Sequence, residues 1–369
     1  MRTLLSGFVG AALVLCAVAT PANAEGVVRY ADSPDAVPGS YLVKIADGHT
    51  VATAGPALAL PTFGGYAVRL TPREARRLAA DPAVAYVEQD RVVRVGTPVA
   101  AGTPWGLDRT DQRALPLDGE YRHVTTGKGV TAYVLDTGIR ASHEQFAGRV
   151  APGRDLVEDD DVPQDENGHG THIAGLVAGR TYGAADGARI AAVRVLDANG
   201  TAPYSRVIAG VDWIARNAAR PAVANISLGG GPSAALDDAV RGLIASGVTV
   251  SVTAGGSGGG VTDTSPARVA EALTSGASTR TDTRAPFSNH GPGVDLYAPG
   301  VGITSAWHTS DTATNTVSGT SFATGLVTGV AARHLQAHPR ATPAQVHQAL
   351  VADATPLSSG PLLYRAPTA

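Results

Sequence analysis

From about residue 105 onward the chain alternates short apolar runs with longer helical stretches, and that alternation limits the fold more than any other feature. The runs at 130–135, 190–196, 222–228 and 248–253 are mostly apolar and rich in Val and Ile. Such runs suit strands covered on both faces, as in a parallel sheet between helices. The stretches 205–216 and 233–246 between them read as helices. The succession predicts an α/β fold with a doubly wound parallel sheet flanked by helices. In such sheets functional groups gather at the carboxyl ends of the strands, and Asp136 falls at one of those ends.

The first part of the chain reads differently. Residues 25–95 predict a small α+β unit with strands near 41–45, 66–70 and 84–88. Thr71-Pro72-Arg73-Glu74 combines a capping residue, a proline at the first helical position and Glu three residues after the cap. A helix therefore starts there and ends near Ala80, before Asp81-Pro82. Residues 96–104 read as an exposed linker. Ahead of this unit, Arg2, the apolar run 4–19 and Ala22-Asn23-Ala24 have the layout of a secretory signal over 1–24. A membrane anchor is the alternative, but the run is short for a spanning helix and no stop-transfer flank follows. The expected organisation is thus 1–24 leader, 25–95 small unit, and 96–369 linker and main domain.

The sole cysteine, Cys16, lies in the expected leader, which leaves the remainder without a disulfide or a cysteine nucleophile. A net charge of −3 gives no reason to expect nucleic acid or an anionic membrane as partner. The one acidic run, Glu158-Asp159-Asp160-Asp161, reads as a solvated loop, with a cation site as the lesser alternative.

Three short segments carry the chemistry. They are Val134-Leu135-Asp136-Thr137-Gly138-Ile139, Asn167-Gly168-His169-Gly170-Thr171-His172 and Ser318-Gly319-Thr320-Ser321-Phe322-Ala323. A hydroxyl attacks a carbonyl poorly unless a base takes its proton, and the base needs an acid to fix its tautomer. Ser321, His169 and Asp136 supply those three residue types. Each has a plainer reading: a turn Asp, half of a metal pair with His172, and a helix-capping Ser before the helical stretch 322–336. The His pair lacks both the intervening Glu and the four-residue spacing of a zinc peptidase helix, so His172 is read as a packed structural histidine. Small residues around all three chemical groups leave room for substrate, and together they point to nucleophilic acyl transfer. The Ser321 segment lacks the Gly-x-Ser-x-Gly elbow, which argues against an α/β-hydrolase esterase.

These segments resemble the subtilisin family of serine peptidases, and the chain from Pro104-Trp105-Gly106-Leu107 onward looks most like its proteinase K branch. The likeness extends to Val193-Arg194-Val195-Leu196-Asp197 and Ser227-Leu228-Gly229-Gly230-Gly231, and residues 25–95 resemble the family's inhibitory propeptide. The resemblance implies a secreted, monomeric serine endopeptidase made as a zymogen. It implies a triad of Asp136, His169 and Ser321, polypeptide substrates, and the chain's own propeptide as intramolecular inhibitor, removed by cleavage near 96–103. Ser227, Leu228 and Gly229 would form one wall of the primary specificity pocket, Ala254 and Gly255 the opposite wall, and Tyr204 would flank the next apolar subsites. Glycines on both walls imply a broad slot for an apolar or aromatic side chain before the cut. Structural calcium is implied at Asp295, completed by the backbone carbonyls of Ala270 and Ala272.

Two departures stand against the family pattern. Gly256 occupies the position of the asparagine that donates to the oxyanion, and loss of one such donor costs roughly 10²–10³-fold in kcat. Gly325-Leu326 replace the usual Pro-His after the nucleophile, a change expected to alter helix packing. Ser257 is a conceivable substitute donor. These departures motivate a rival expectation, a weakened or inactive homologue that binds peptides or a partner. A nucleotide-binding module built on Gly229-Gly230-Gly231 is a distant third, since the spaced phosphate-binding pattern is missing.

Overall fold

The computed structural model describes residues 25–51, 56–94 and 105–366. The expected leader at 1–24 and the expected linker at 96–104 lie outside these residues. Among the described residues no helix is long and apolar enough to cross a membrane.

The apolar runs become the centre of a nine-stranded sheet. Thr131–Asp136 lies between Ala222–Ile226 and Arg189–Arg194, and Thr249–Thr253 pairs with Ala222–Ile226, all in parallel. Every residue of Thr131–Asp136, Ala222–Ile226 and Thr249–Thr253 is buried. That is the physical content of an apolar run without alternation: both faces are covered. Ala132 and Val134 face one core, with Ile173 and Val177 of the helix His169–Ala178 and Val327 and Val330 of Thr320–Ala337. Tyr133 and Leu135 face the other, with Val207 and Val211 of Tyr204–Asn217 and Leu236 and Val240 of Ala234–Ala245. Consecutive side chains alternate across a strand, so one run feeds two cores.

The sheet continues through Leu273–Ser278 and Leu296–Pro299, which the apolar pattern does not reveal. Leu273–Ser278 reads Leu-Thr-Ser-Gly-Ala-Ser and is nonetheless fully buried. Of its polar side chains, Thr274 Oγ1 donates to the Ala267 carbonyl at 2.8 Å, while the Ser275 and Ser278 hydroxyls are buried without a hydrogen-bond partner. Gly276 leaves room for the Tyr297 ring, which a Cβ would approach to 2.5 Å.

In the small unit the helix Pro72–Ala79 starts where its signals place it, with both hydrogen bonds of the Thr71–Glu74 capping box formed. Its sheet runs Val28–Arg29, Val84–Arg94, Ala36–Ile45, Gly65–Arg69, Ala57–Leu60. One face, with Tyr41, Val43 and Val87, packs with Ala75 of the helix. The other, with Leu42, Leu60 and Ala67, joins the core that contains the main domain's Leu236 and Val240.

Two buried carboxylates fasten the units together. Glu88 Oε2 accepts the Ala235 N–H at 3.3 Å, at the start of Ala234–Ala245. Asp90 accepts the Ser205 N–H at 3.2 Å and the Ser205 hydroxyl at 2.6 Å, at the start of Tyr204–Asn217. A helix start presents unpaired N–H groups and the positive end of the dipole, so each carboxylate is well placed. The strand Val84–Arg94 then leaves its own sheet. Val92, Val93 and Arg94 pair antiparallel with Pro203, Ala202 and Thr201, and Arg94 bridges to Gly229.

Candidate active site

Asp136 ends its strand, and Gly138 makes the exit. Its φ of +101° suits glycine, and a Cβ there would lie 2.6 Å from the Pro163 carbonyl oxygen. The Asp136 carboxylate is fully buried, accepting the Thr137 N–H at 2.7 Å and facing His169 Nδ1 at 2.8 and 2.9 Å. His169 opens the helix His169–Ala178. The glycines beside it serve the backbone rather than clearing space for the ring: a Cβ on Gly170 would lie 2.1 Å from the Gly138 carbonyl oxygen, and one on Gly168 would strike the Trp307 ring. They let the helix start press against the turn after Asp136.

A further carboxylate, Asp165, ties these two segments together. Its Oδ1 accepts the Thr137 hydroxyl at 2.8 Å and the N–H groups of Asn167 and Gly168 at 2.9 and 2.8 Å. Its Oδ2 accepts the Thr171 N–H at 2.8 Å and the Thr171 hydroxyl at 2.6 Å. Thr137 Oγ1 in turn accepts the Gly170 N–H at 2.9 Å. Sequence reasoning missed Asp165, because an acid in a polar loop carries no sign of the partners it will meet.

With Nδ1 held by Asp136, His169 Nε2 is buried and has no hydrogen-bond partner. Ser321 sits at the second position of Thr320–Ala337. Its hydroxyl donates to the Ser227 carbonyl at 3.1 Å, while the Ser227 hydroxyl donates to the Ser321 carbonyl at 3.1 Å. Asp136 and His169 are therefore joined, and the Ser321 hydroxyl is turned toward the neighbouring wall.

That wall borders a cavity of about 560 Å³. Ser227, Leu228 and Gly229 line one side, Gly255 and Gly256 the other, with Ser321 and Thr320 at its base. The Thr253 hydroxyl donates to Thr320 Oγ1 at 2.7 Å beside them. The side chains of Ala254, expected in the opposite wall, and Tyr204, expected beside the next subsites, do not line this cavity. Ala254 is fully buried behind the wall, packed with Val261 and Ala267, so its backbone rather than its side chain shapes the slot. Tyr204 stands outside this cavity, its hydroxyl donating to the Gly231 carbonyl at 2.8 Å; a Cβ on Gly230 would meet both Tyr204 and Val93 of the small unit.

A Cβ at Gly256 meets nothing within 4 Å. Ser257 does not fill the gap, since its hydroxyl donates to Asn289 Oδ1 at 2.9 Å. Asn289, buried and unforeseen from the sequence, holds this loop: its Oδ1 also accepts the Gly259 N–H at 3.0 Å and its Nδ2 donates to the Ala254 carbonyl at 2.9 Å. At the other departure the helix stays continuous. A Cβ on Gly325 would lie 3.1 Å from Leu176 Cβ, so glycine lets two helices touch, and Leu326 is fully buried in the core.

His172 packs as a structural residue. Its Nε2 donates to the carbonyls of Ile303 and Asn315 at 3.1 and 3.2 Å, and its ring meets Phe322 edge-on with centroids 4.6 Å apart. Burial, helped by the nearby His169, pushes its pKa down to about 3. Among the described residues no group of three or more His, Cys, Asp or Glu side chains could hold a metal. In the acidic run, Asp159 and Asp161 pair with Arg154. At Asp295 the residues do not fit calcium: one carboxylate oxygen faces His347 Nε2 at 3.1 Å and the other accepts the Thr274 N–H at 2.8 Å.

Comparison with known proteins agrees with this architecture. The model of the subtilase family matches residues 127–365, and that of the peptidase inhibitor I9 family matches residues 60–96. An extracellular serine proteinase of Thermus sp. (strain Rt41A) is 49% identical over 357 residues, covering 88% of this chain and 87% of that protein. Alkaline serine exoprotease A of Vibrio alginolyticus is 47% identical over 299 residues, covering 80% of this chain and 56% of that protein. The crystal structure of a cold adapted subtilisin-like serine proteinase aligns with a TM-score of 0.69 at 49% identity, over 72% of this chain and 98% of the other. These relatives give the inactive-homologue reading no support. The chain belongs to the subtilase family and is a subtilisin-like serine endopeptidase preceded by an inhibitor unit of the I9 type.

Proposed function

We propose that the enzyme hydrolyses peptide bonds through Ser321 as nucleophile, His169 as base and then acid, and Asp136 as the group that fixes and stabilises the imidazole. The observation that carries this is the state of the His169 ring. Nδ1 is held by a fully buried carboxylate while Nε2 is kept dry and unpaired. Attack requires the Ser321 hydroxyl to leave the Ser227 carbonyl and reach Nε2. On attack, the Ser321 proton passes to Nε2 and Oγ bonds to the substrate carbonyl carbon. The imidazolium gives that proton to the leaving amine, and an acyl-enzyme remains. Water then enters, its oxygen bonding to the acyl carbon as it loses a proton to Nε2, and that proton passes to Ser321 Oγ as the ester bond breaks and the acid leaves.

The oxyanion forms at the start of the long helix Thr320–Ala337, where unpaired backbone N–H groups and the helix dipole favour negative charge. Gly256 adds no side-chain donor, so turnover is slowed rather than abolished. The glycine-lined cavity suits a large apolar or aromatic side chain before the cut. The small unit acts as intramolecular inhibitor, its last strand lying along the substrate wall through Arg94 and Gly229. Cleavage near 96–103 frees a monomeric enzyme, exported by the leader at 1–24.

The test is casein hydrolysis by purified mature protein beside a Ser321→Ala control, with and without a serine-directed inhibitor. The expected loss is roughly 10⁴-fold or more in kcat. Equal turnover by the two proteins would reject the proposal.

A further inference from the structure

Asp295 and Thr274 form a reciprocal backbone and side-chain pair, with the Asp295 N–H also donating to the Thr274 carbonyl at 3.0 Å. The free side of the carboxylate meets His347, from the helix Pro343–Asp353. A capping box between Thr342 and Gln345 sets the start of that helix and so fixes where His347 emerges. The same ring faces the Glu271 backbone, between Ala270 and Ala272. One imidazole therefore ties Asp295 to the 270–272 backbone. Those are the two segments that calcium would bridge under the family resemblance. Calcium takes six to eight oxygens at a site, whereas the neighbouring acid, Glu271, turns its carboxylate to Arg241 at 3.5 Å.

We propose that His347 takes the place of a bound cation at Asp295, so that this protease joins the two segments without calcium at that position. The link is then covalently part of the chain and is not lost on dilution or chelation.

The experiment uses the full chain carrying Ser321→Ala, which prevents self-digestion, near neutral pH. Thermal midpoints are measured in excess calcium chloride and in chelator, for this parent and for versions with Asp295→Asn or His347→Ala. Calcium binding to the parent and to the Asp295→Asn chain is followed by titration calorimetry. The expected result is one calcium response, identical in the parent and in Asp295→Asn, and a midpoint lowered by about 2–4 °C in His347→Ala. A calcium-induced rise in the parent that Asp295→Asn removes would overturn the proposal. So would a calorimetric site present in the parent and missing from Asp295→Asn, or a midpoint unmoved by His347→Ala. If His347→Ala does not fold, the parent and Asp295→Asn titrations still decide.

Discussion

Around Asp136 and His169 the polar groups are linked one to the next through Asp165 and Thr137, whereas across the cleft the wall at 255–256 offers backbone and open space. On the first side, position is set by side chains that pin one another. On the second, it is set from behind, by Asn289 holding the loop. The contrast teaches that a cleft can keep its acid–base machinery rigid while leaving the oxyanion side unfinished. Under the proposed mechanism a slower enzyme follows, because the geometry is sound and one electrostatic contribution is missing.

The largest expected effect comes from filling the open side. Gly256 lies outside the left-handed region and its Cβ would be unobstructed, so asparagine fits without strain. Gly256→Asn should raise kcat by roughly 10- to 10²-fold with KM nearly constant. No gain in steady-state kinetics would mean that another group already stabilises the oxyanion, and the contrast between the walls would fall.

Loosening the pinned side should have a smaller effect in the opposite direction. Asp165→Asn replaces an acceptor with a donor where backbone N–H groups and hydroxyls all donate. About a 10-fold fall in kcat is expected, with KM little changed and stability lower by about 1–3 kcal/mol. A change in KM alone would show that Asp165 shapes substrate binding rather than the position of His169.

The third prediction concerns acid stability. His172 titrates near 6.5 when unfolded and near about 3 when folded, chiefly because burial disfavours its charge. Between those values the unfolded chain binds the extra proton, so stability falls as pH drops through that window. His334, pushed down to about 4 first by burial and then by Arg365, acts in the same direction. The total loss from His172 across this window is on the order of a few kcal/mol, as set by its shift. Urea unfolding of the Ser321→Ala chain from pH 7 to pH 3 should show it, and His172→Gln should flatten it. An unchanged slope would place the acid sensitivity elsewhere.

How much of this was legible beforehand depended on whether a residue's role was local. The strand ending at Asp136 was readable because burial on both faces leaves a continuous apolar run. The helix after Thr71 was readable because its capping partners lie within four residues. The segments around Asp136, His169 and Ser321 stood out because the small residues flanking each group are local as well. Leu273–Ser278 was hidden, since its burial rests on partners such as Ala267 and Tyr297 rather than on its own hydrophobicity. Asp165 and Asn289 were hidden for the same reason: each acts on chain segments that only the fold brings near. Gly168 and Gly170 were noticed but misread, because the backbone they admit belongs to the Asp136 turn and to the Trp307 segment.

The strand Val84–Arg94 completes the small sheet and also runs beside Thr201–Pro203, so one stretch of backbone answers to two partners. The strand's contact with the cleft wall is thereby coupled to the integrity of a core some distance from it. A substitution at Ala75 or Val43 that melts the small sheet withdraws the strand's anchor, and the Arg94 bridge to Gly229 is weakened without any change in the cleft's own residues. The latch on this protease is as strong as the folding of a miniature domain, and it can be tuned from there.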